Sequence, residues 1–176
     1  MENIDFKEVQ RFKVWWAWAL VTALNLLFIF AILQQVIFGK PFGNKPASDL
    51  TLVLIELVSL FLFVFLLSIK LVTRIDHSGI QYRFYPFQFR PTKIEWADLR
   101  DAYMRQYNSF HEYGGWGLRT GSPKTGRAIN TSESSNKGLQ LVFKDGKQLL
   151  IGTKRPGEIE EFITIIMAKG SINREI

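Results

Sequence analysis

The chain has 176 residues, 47% of them hydrophobic and 22% charged, with a formal charge of +6 and a pI near 9.6. The absence of cysteine excludes disulfides, thiolate catalysis and cysteine-based metal sites, and two histidines, His77 and His111, are too few for a histidine-based metal centre. From Lys70 onward 17 Lys and Arg face 11 Asp and Glu. With no basic cluster or recognition motif, this excess reads as attraction to an anionic membrane surface, and no nucleic-acid partner is expected.

The first 13 residues form a short polar segment that carries Lys7, Arg11 and Lys13. Residues 14–38 then contain no charge, and about 20 apolar residues suffice for a helix to cross a bilayer. Trp15, Trp16 and Trp18 sit at the start of this run, where aromatic belts mark a membrane interface. The run is too long, and lacks the small-residue pattern, for a cleaved signal peptide. Residues 39–49 are a turn-rich external loop with two glycines and two prolines. Residues 50–69 form a second span with one charge, Glu56. The two spans predict a hairpin. Five cations near its ends (Lys7, Arg11, Lys13, Lys70, Arg74) against two in the loop (Lys40, Lys45) place both termini in the cytoplasm.

Glu56 is the one ionisable residue at membrane depth, and such residues are functional candidates because a charge in lipid is costly. Antiparallel packing about the loop places it near residues 32 to 35, so an intramembrane polar contact of Glu56 with Gln34 and Gln35 is expected to join the two helices. Ion transport is disfavoured, because two helices enclose no pathway and no second carboxylate continues one. Oligomerisation through Glu56 is a further alternative.

Residues 70–176 read as a β-rich domain with a closing helix. Ile80, Tyr82 and Phe84 alternate with polar neighbours after the turn Asp76-His77-Ser78-Gly79. Ile94-Glu95-Trp96 and Leu99 to Tyr107 predict two more strands. His111 to Arg119, with three glycines around Trp116, predicts a bend. Ser132 to Asn136 is polar and expected to be mobile. Asp145-Gly146 between alternating runs is a strong hairpin signal. Residues 156–169 predict an amphipathic helix. Ile159, Phe162, Ile163 and Ile166 lie on one face, Pro156 stands at the first helical position, and Gly170 marks the stop.

Asp76-His77-Ser78-Gly79-Ile80 and Ile94-Glu95-Trp96-Ala97-Asp98-Leu99 together resemble the bacterial PH-like domains that follow paired transmembrane helices. The first has the D-x-x-G-I start of that family and the second its I-x-W-x-D-I/L step. The resemblance spans residues 70 to 169. It implies an α+β membrane protein in which the hairpin precedes a PH-like antiparallel barrel or sandwich of about seven strands with a C-terminal helix. It carries no lipid-binding motif onto this chain.

No catalytic constellation emerges. Gly121 to Gly126 has the glycine spacing of a phosphate loop, but Arg127 and Ala128 stand where Lys and Ser/Thr belong. His111-Glu112 begins like a zinc-protease helix, but Gly115 replaces the second histidine. Asn130-Thr131-Ser132 matches a glycosylation acceptor without meaning in a cytoplasmic domain. Arg83, Phe87, Phe89, Arg90 and Lys93 form an aromatic-basic stretch near the membrane exit, a candidate surface for lipid or a partner; the favoured alternative is that its aromatics are barrel core and its charges a solvated rim. The expectation is a non-enzymatic, membrane-anchored PH-like module without cofactor, an interaction or scaffold component at the inner face of the bacterial cytoplasmic membrane. Its partners are then the bilayer and another membrane protein or a second copy. The alternative is an anionic-lipid sensor that uses the aromatic-basic loop.

Overall fold

The computed structural model describes residues 6–122, 124–134 and 136–168. It divides into a helical unit, residues 14–68, and an α+β unit built from residues 1–13 together with 69–176.

In the helical unit, α1 (Trp15–Ile32) continues into a wider π-helical turn (Leu33–Ile37), and α2 (Asp49–Ser68) packs against it. Both helices are long and apolar enough to cross a membrane. Val21, Asn25, Phe28 and Ala31 of α1, and Leu52, Glu56, Ser59 and Phe63 of α2, are among the less exposed positions. Their spacing of three and four residues defines one narrow seam per helix. Trp18 meets Phe63 edge-to-face at 5.7 Å, and the Asn25 amide reaches the Ser59 carbonyl at 3.5 Å.

This register puts Glu56 near the level of Phe28, one to two turns from where sequence spacing places it. The reason lies in the loop. Gln35 donates to the Ala47 carbonyl at 2.8 Å and to Asp49 Oδ1 at 2.7 Å, and accepts from the Phe42 amide; Gln34 donates to the Pro41 carbonyl. Both glutamines are thus used to fold the connection between the helices. The structure does not bring them to Glu56, whose Oε2 is buried without a partner among the described residues, as is Ser59 Oγ.

The α+β unit has two open sheets. The first is an antiparallel meander of β1 (Phe6–Arg11), β2 (Lys70–Asp76), β3 (Gly79–Tyr85) and β4 (Thr92–Glu95). The second has the order β5-β8-β9-β7-β6, from β5 (Leu99–Gln106), β6 (Gly117–Thr120), β7 (Arg127–Asn130), β8 (Lys137–Phe143) and β9 (Gln148–Gly152). The expectation of about seven antiparallel strands in a barrel or sandwich is therefore corrected. The sheets do not close, β1 adds a strand from before the hairpin, and β7 pairs with β9 in parallel. The segment expected to bend at His111 to Arg119 does so at residues 114–116, between a short helix, α3 (Ser109–Tyr113), and β6. Asn108 caps α3 by accepting from the Phe110 and His111 amides, and Gly114 ends it at φ +70°.

The two motif segments that carried the family resemblance touch each other. Asp76 Oδ1 accepts from the Ser78 amide, the Ser78 hydroxyl and the Gly79 amide, which closes the β2–β3 turn. These bonds hold the Asp76 carboxyl below the usual carboxylate range, the Ser78 hydroxyl first among them. The Trp96 indole N–H donates to the Asp76 carbonyl at 2.9 Å. Gly79 lies opposite Glu95 at φ +149°, and a Cβ there would overlap the Ile94 carbonyl oxygen. Helix α4 (Pro156–Ala168) packs on β5, β8 and β1, strands of both sheets. Ile159, Phe162, Ile163 and Ile166 are all buried in the core with Ile75, Ile80, Trp96, Leu139 and Leu141. Each such side chain contributes about 1.5–3 kcal/mol of apolar burial. The predicted stop at Gly170 lies outside the described residues.

Strand β1 is held by more than its ladder. Its inward positions are Phe6, Glu8 and Gln10, all buried. Glu8 accepts from the Thr153 hydroxyl at 2.7 Å and from the Lys154 amide at 3.0 Å. Gln10 donates to the Gly152 carbonyl at 2.8 Å and accepts from the hydroxyls of Thr131 at 3.0 Å and Ser134 at 2.6 Å. The segment after β7, expected to be mobile, is thus the receptor for the N-terminal strand. Gln10→Ala should cost about 3 kcal/mol, because it orphans a buried carbonyl and two hydroxyls; thermal melting of the full chain checks this. Gly79→Ala should cost about 2 kcal/mol or more, through strain and overlap at Ile94.

Candidate functional site: a basic sheet face beside an aromatic cleft

Strand alternation places the residues between the inward ones of β1, β2 and β3 on the outer face of the first sheet. Register then builds three rows: Arg11, Lys70 and Tyr85; Val9, Val72 and Arg83; Lys7, Arg74 and Gln81. With Tyr82 and Pro91 these nine side chains line a shallow groove of about 470 Å³. Five of them are cations and none is acidic. Lys7 lies directly across from Arg74 and Arg11 directly across from Lys70, pairings that destabilise a sheet. Among the described residues none of these four makes an ion pair with a carboxylate. Tyr85 sits under two cations, Arg83 at 4.0 Å and Lys70 at 4.5 Å from its ring centre. Arg83 also donates to the Gln88 carbonyl at 3.1 Å, which fixes its head above the ring.

Arg11 precedes the first residue of α1 by four positions, and Lys70 follows the last residue of α2 by two. At this same end of the unit lies an apolar cleft of about 390 Å³, lined by Phe12, Ile69, Phe84, Phe87, Trp116 and Leu118 among others. Trp116 packs edge-on against Phe110 at 4.9 Å and Phe12 at 6.4 Å, while Phe87 stacks on the buried Phe84 at 5.7 Å. Phe87 and Phe89 are 57% and 84% exposed. Large apolar side chains concentrated at one exposed place mark a surface that meets something other than water.

The residues expected from sequence are divided by this geometry. Arg83 belongs to the basic face. Lys93 lies at its edge, opposite Gln81, and pairs with Glu95 at 3.4 Å. Phe87 lines the aromatic cleft, while Phe89 and Arg90 are exposed on the same loop and line neither surface. Lys7, Arg11, Lys70 and Arg74 were legible only as charges flanking a hairpin. Their signal was the alternation Lys7-x-Val9-x-Arg11 and Lys70-x-Val72-x-Arg74, which needs residues 7–11 to be read as a strand.

The other sequence candidates have structural roles. The Gly121–Gly126 loop joins β6 to β7, closed by the Gly121 amide on the Gly126 carbonyl at 2.7 Å, and no helix follows it. Asn130 is fully buried, bonded to the Gly117 amide and the Ser109 hydroxyl, so it cannot present itself for glycosylation. Arg105 bridges Gln140, Tyr113 and Glu112, tying α3 to the second sheet.

Glu133 fastens the chain just before α1. Its carboxylate accepts from the Arg11 amide at 2.6 Å and pairs with Lys13 at 2.8 Å and Lys154 at 3.6 Å. Burial alone would raise this carboxyl, but the Lys13 and Arg11 hydrogen bonds and the charges of Lys154 and Lys13 outweigh it and hold it below its ordinary value. A depressed folded value contributes stability that is present above about pH 4.5 and lost as pH falls through the folded value. Glu133→Gln should therefore melt lower than the parent at pH 7, and the difference should close as pH falls below 4.5.

No curated protein matches the chain significantly. A family described as a family of unknown function, DUF6141, matches residues 2–171, nearly the entire sequence, and the chain belongs to this family.

Proposed function

We propose that this protein is a non-catalytic, membrane-anchored module, an interaction or scaffold component at the inner face of a bacterial cytoplasmic membrane, whose α+β unit is a PH-like domain. The observation that carries this reading is the pairing of β1 with β2. The strand before the apolar hairpin and the strand after it are neighbours in one sheet. A hairpin that spans a bilayer returns the chain to the side it left, which leaves these strands free to pair. The uncovered apolar surface of both helices supports insertion: Leu26, Phe30, Leu57, Val58 and Phe61 are all more than half exposed. The excess of Lys and Arg at the hairpin's ends over its loop supports termini in the cytoplasm. The D-x-x-G-I and I-x-W segments, joined through Trp96 and Asp76, together with the closing α4, support the PH-like assignment.

Glu56 and Ser59 favour a further membrane helix, from another protein or a second copy, as the partner of the hairpin. Both hold a buried oxygen that nothing within the described residues satisfies, and interhelical hydrogen bonds are the usual remedy in lipid. The exposed Phe87 and Phe89 favour a second reading, contact with lipid headgroups.

The cysteine-free sequence makes the topology directly testable. In intact cells an impermeant maleimide should label Lys45→Cys and should label Ser122→Cys only after permeabilisation. Labelling of both positions refutes the anchor, and the reverse pattern refutes the cytoplasmic termini. Glu56→Leu should lower the assembly size seen by native electrophoresis; unchanged assembly removes Glu56 from the interface.

A further inference from the structure

We infer that the outer face of the β1–β2–β3 sheet is a binding surface for anionic phospholipid headgroups, with Lys7, Arg11, Lys70, Arg74 and Arg83 as its phosphate ligands. This deepens the headgroup-contact reading above and rests on the anchor. It moves the site from the Phe87–Arg90 loop to the sheet face and names its ligand.

Three observations converge on it. The first is the cross-strand arrangement. Lys7 against Arg74 and Arg11 against Lys70 place like charges where a carboxylate would stabilise the sheet. Two such pairs on one face, either side of the Val9 and Val72 row, are a local cost to folding, and costs of this kind collect at functional sites. The second is composition. The groove is lined by five cations, two valines, two tyrosines, a glutamine and a proline, so its fixed charge is +5. Val9 and Val72 occupy the middle row, and Tyr85 holds two of the cations by its ring face, which keeps their heads on the groove. A ligand that satisfies this surface is anionic, spread over several contacts and partly apolar.

The third observation is the polarity of the face along its strands. The row nearest the helix ends is Arg11, Lys70 and Tyr85. The acidic side chains of β2 and β4, Asp76 and Glu95, lie at the opposite end, where Asp76 is committed to the Ser78 turn and Glu95 to Lys93. Carboxylates therefore reach this face only at the end away from the residues that are covalently adjacent to the spans. The Phe12, Phe87 and Trp116 cleft lies at the same end of the unit. Cations and aromatics together at the point of membrane entry match the chemistry of an anionic headgroup layer, whereas a free soluble phosphate would require neither the aromatic rim nor the proximity.

The test uses the full chain purified in an uncharged detergent, with phosphatidylglycerol and phosphatidylcholine competing in equal amounts and retention read by native mass spectrometry. The parent should retain phosphatidylglycerol preferentially, and the preference should shrink as salt is raised. Each neutral substitution, Arg11→Gln, Lys70→Gln or Arg74→Gln, should weaken headgroup binding about fivefold. The charge-preserving pair Arg11→Lys and Lys70→Arg should keep it, and so should Arg100→Gln, which removes the same charge from β5. Thermal melts in the same detergent identify folded variants; if one Gln variant fails to fold, the other single variants and the salt dependence decide. Equal retention of the two lipids by the parent, or an undiminished preference in folded Gln variants, overturns the proposal. Displacement of the lipid by glycerol phosphate or inorganic phosphate at millimolar concentration overturns the lipid as the source of the anion. Displacement by a thymidine oligonucleotide overturns it in favour of nucleic acid. Failure of the anchor itself reads separately, as release of the parent from membranes by alkaline carbonate.

Discussion

Everything in the α+β unit depends on one non-local attachment, the seating of β1 through Glu8 and Gln10. The strand precedes its ladder partner by the length of the whole hairpin, so its pairing closes a long loop and carries the corresponding entropic cost. Six ladder positions on a sheet edge would be a weak return on that closure. The buried carboxylate and amide change the balance, because they bond the Thr131, Ser134, Gly152, Thr153 and Lys154 positions of the second sheet's connections. Removing the strand would leave those groups unsatisfied inside the protein. Arg155 adds to the same seat from outside, donating to the Lys7 carbonyl and lying over the Phe6 ring.

That seat also determines what the outer face can be. Register in a two-faced strand is strict, since a shift of one residue exchanges the faces. With Phe6, Glu8 and Gln10 committed inward, Lys7, Val9 and Arg11 must point outward and oppose Arg74, Val72 and Lys70. The like-charge pairs are thus imposed by the inner face, and repulsion across the outer one cannot relieve itself by slipping. A surface whose charge density is held by buried hydrogen bonds is preorganised for an anion, because it need not gather its ligands at the moment of binding.

Local signals made much of the fold legible. The period change after Lys70, the Asp145-Gly146 hairpin and the apolar face of α4 each needed only neighbours in sequence, and each is present. The Asp76 turn and the Trp96 step were legible as motifs, and their contact explains why those residue types occur there. The strand at residues 6–11 was not legible. Six residues reading FKEVQR put Glu8 and Gln10 on the inward face, the reverse of the usual apolar-in pattern, so alternation pointed nowhere. Its identity comes from polar partners more than a hundred residues away, which no window of sequence contains. The same limit hid the basic face, whose rows are assembled from three strands. In the hairpin, charge and length were informative while register was not. Gln34 and Gln35 are polar groups at a plausible depth, but the loop's own unpaired carbonyls and amide claimed them first.

The Glu56 seam and the β1 seat represent two answers to the same physical problem, a polar group placed where water cannot reach. In β1 every polar atom of the pair Glu8 and Gln10 is given a partner, and the result is structural. In the hairpin the Glu56 and Ser59 oxygens are left open while Asn25, one turn away, turns back to the Val21 carbonyl. Burying such groups unpaired costs about 1–3 kcal/mol each even outside lipid. A two-helix hairpin could have avoided that cost with leucine at both positions. On the anchor reading, the retained carboxyl and hydroxyl are best understood as half of an interface that a further helix completes, so the proposed headgroup face of the α+β unit and the hairpin's polar seam address two different partners in the same membrane.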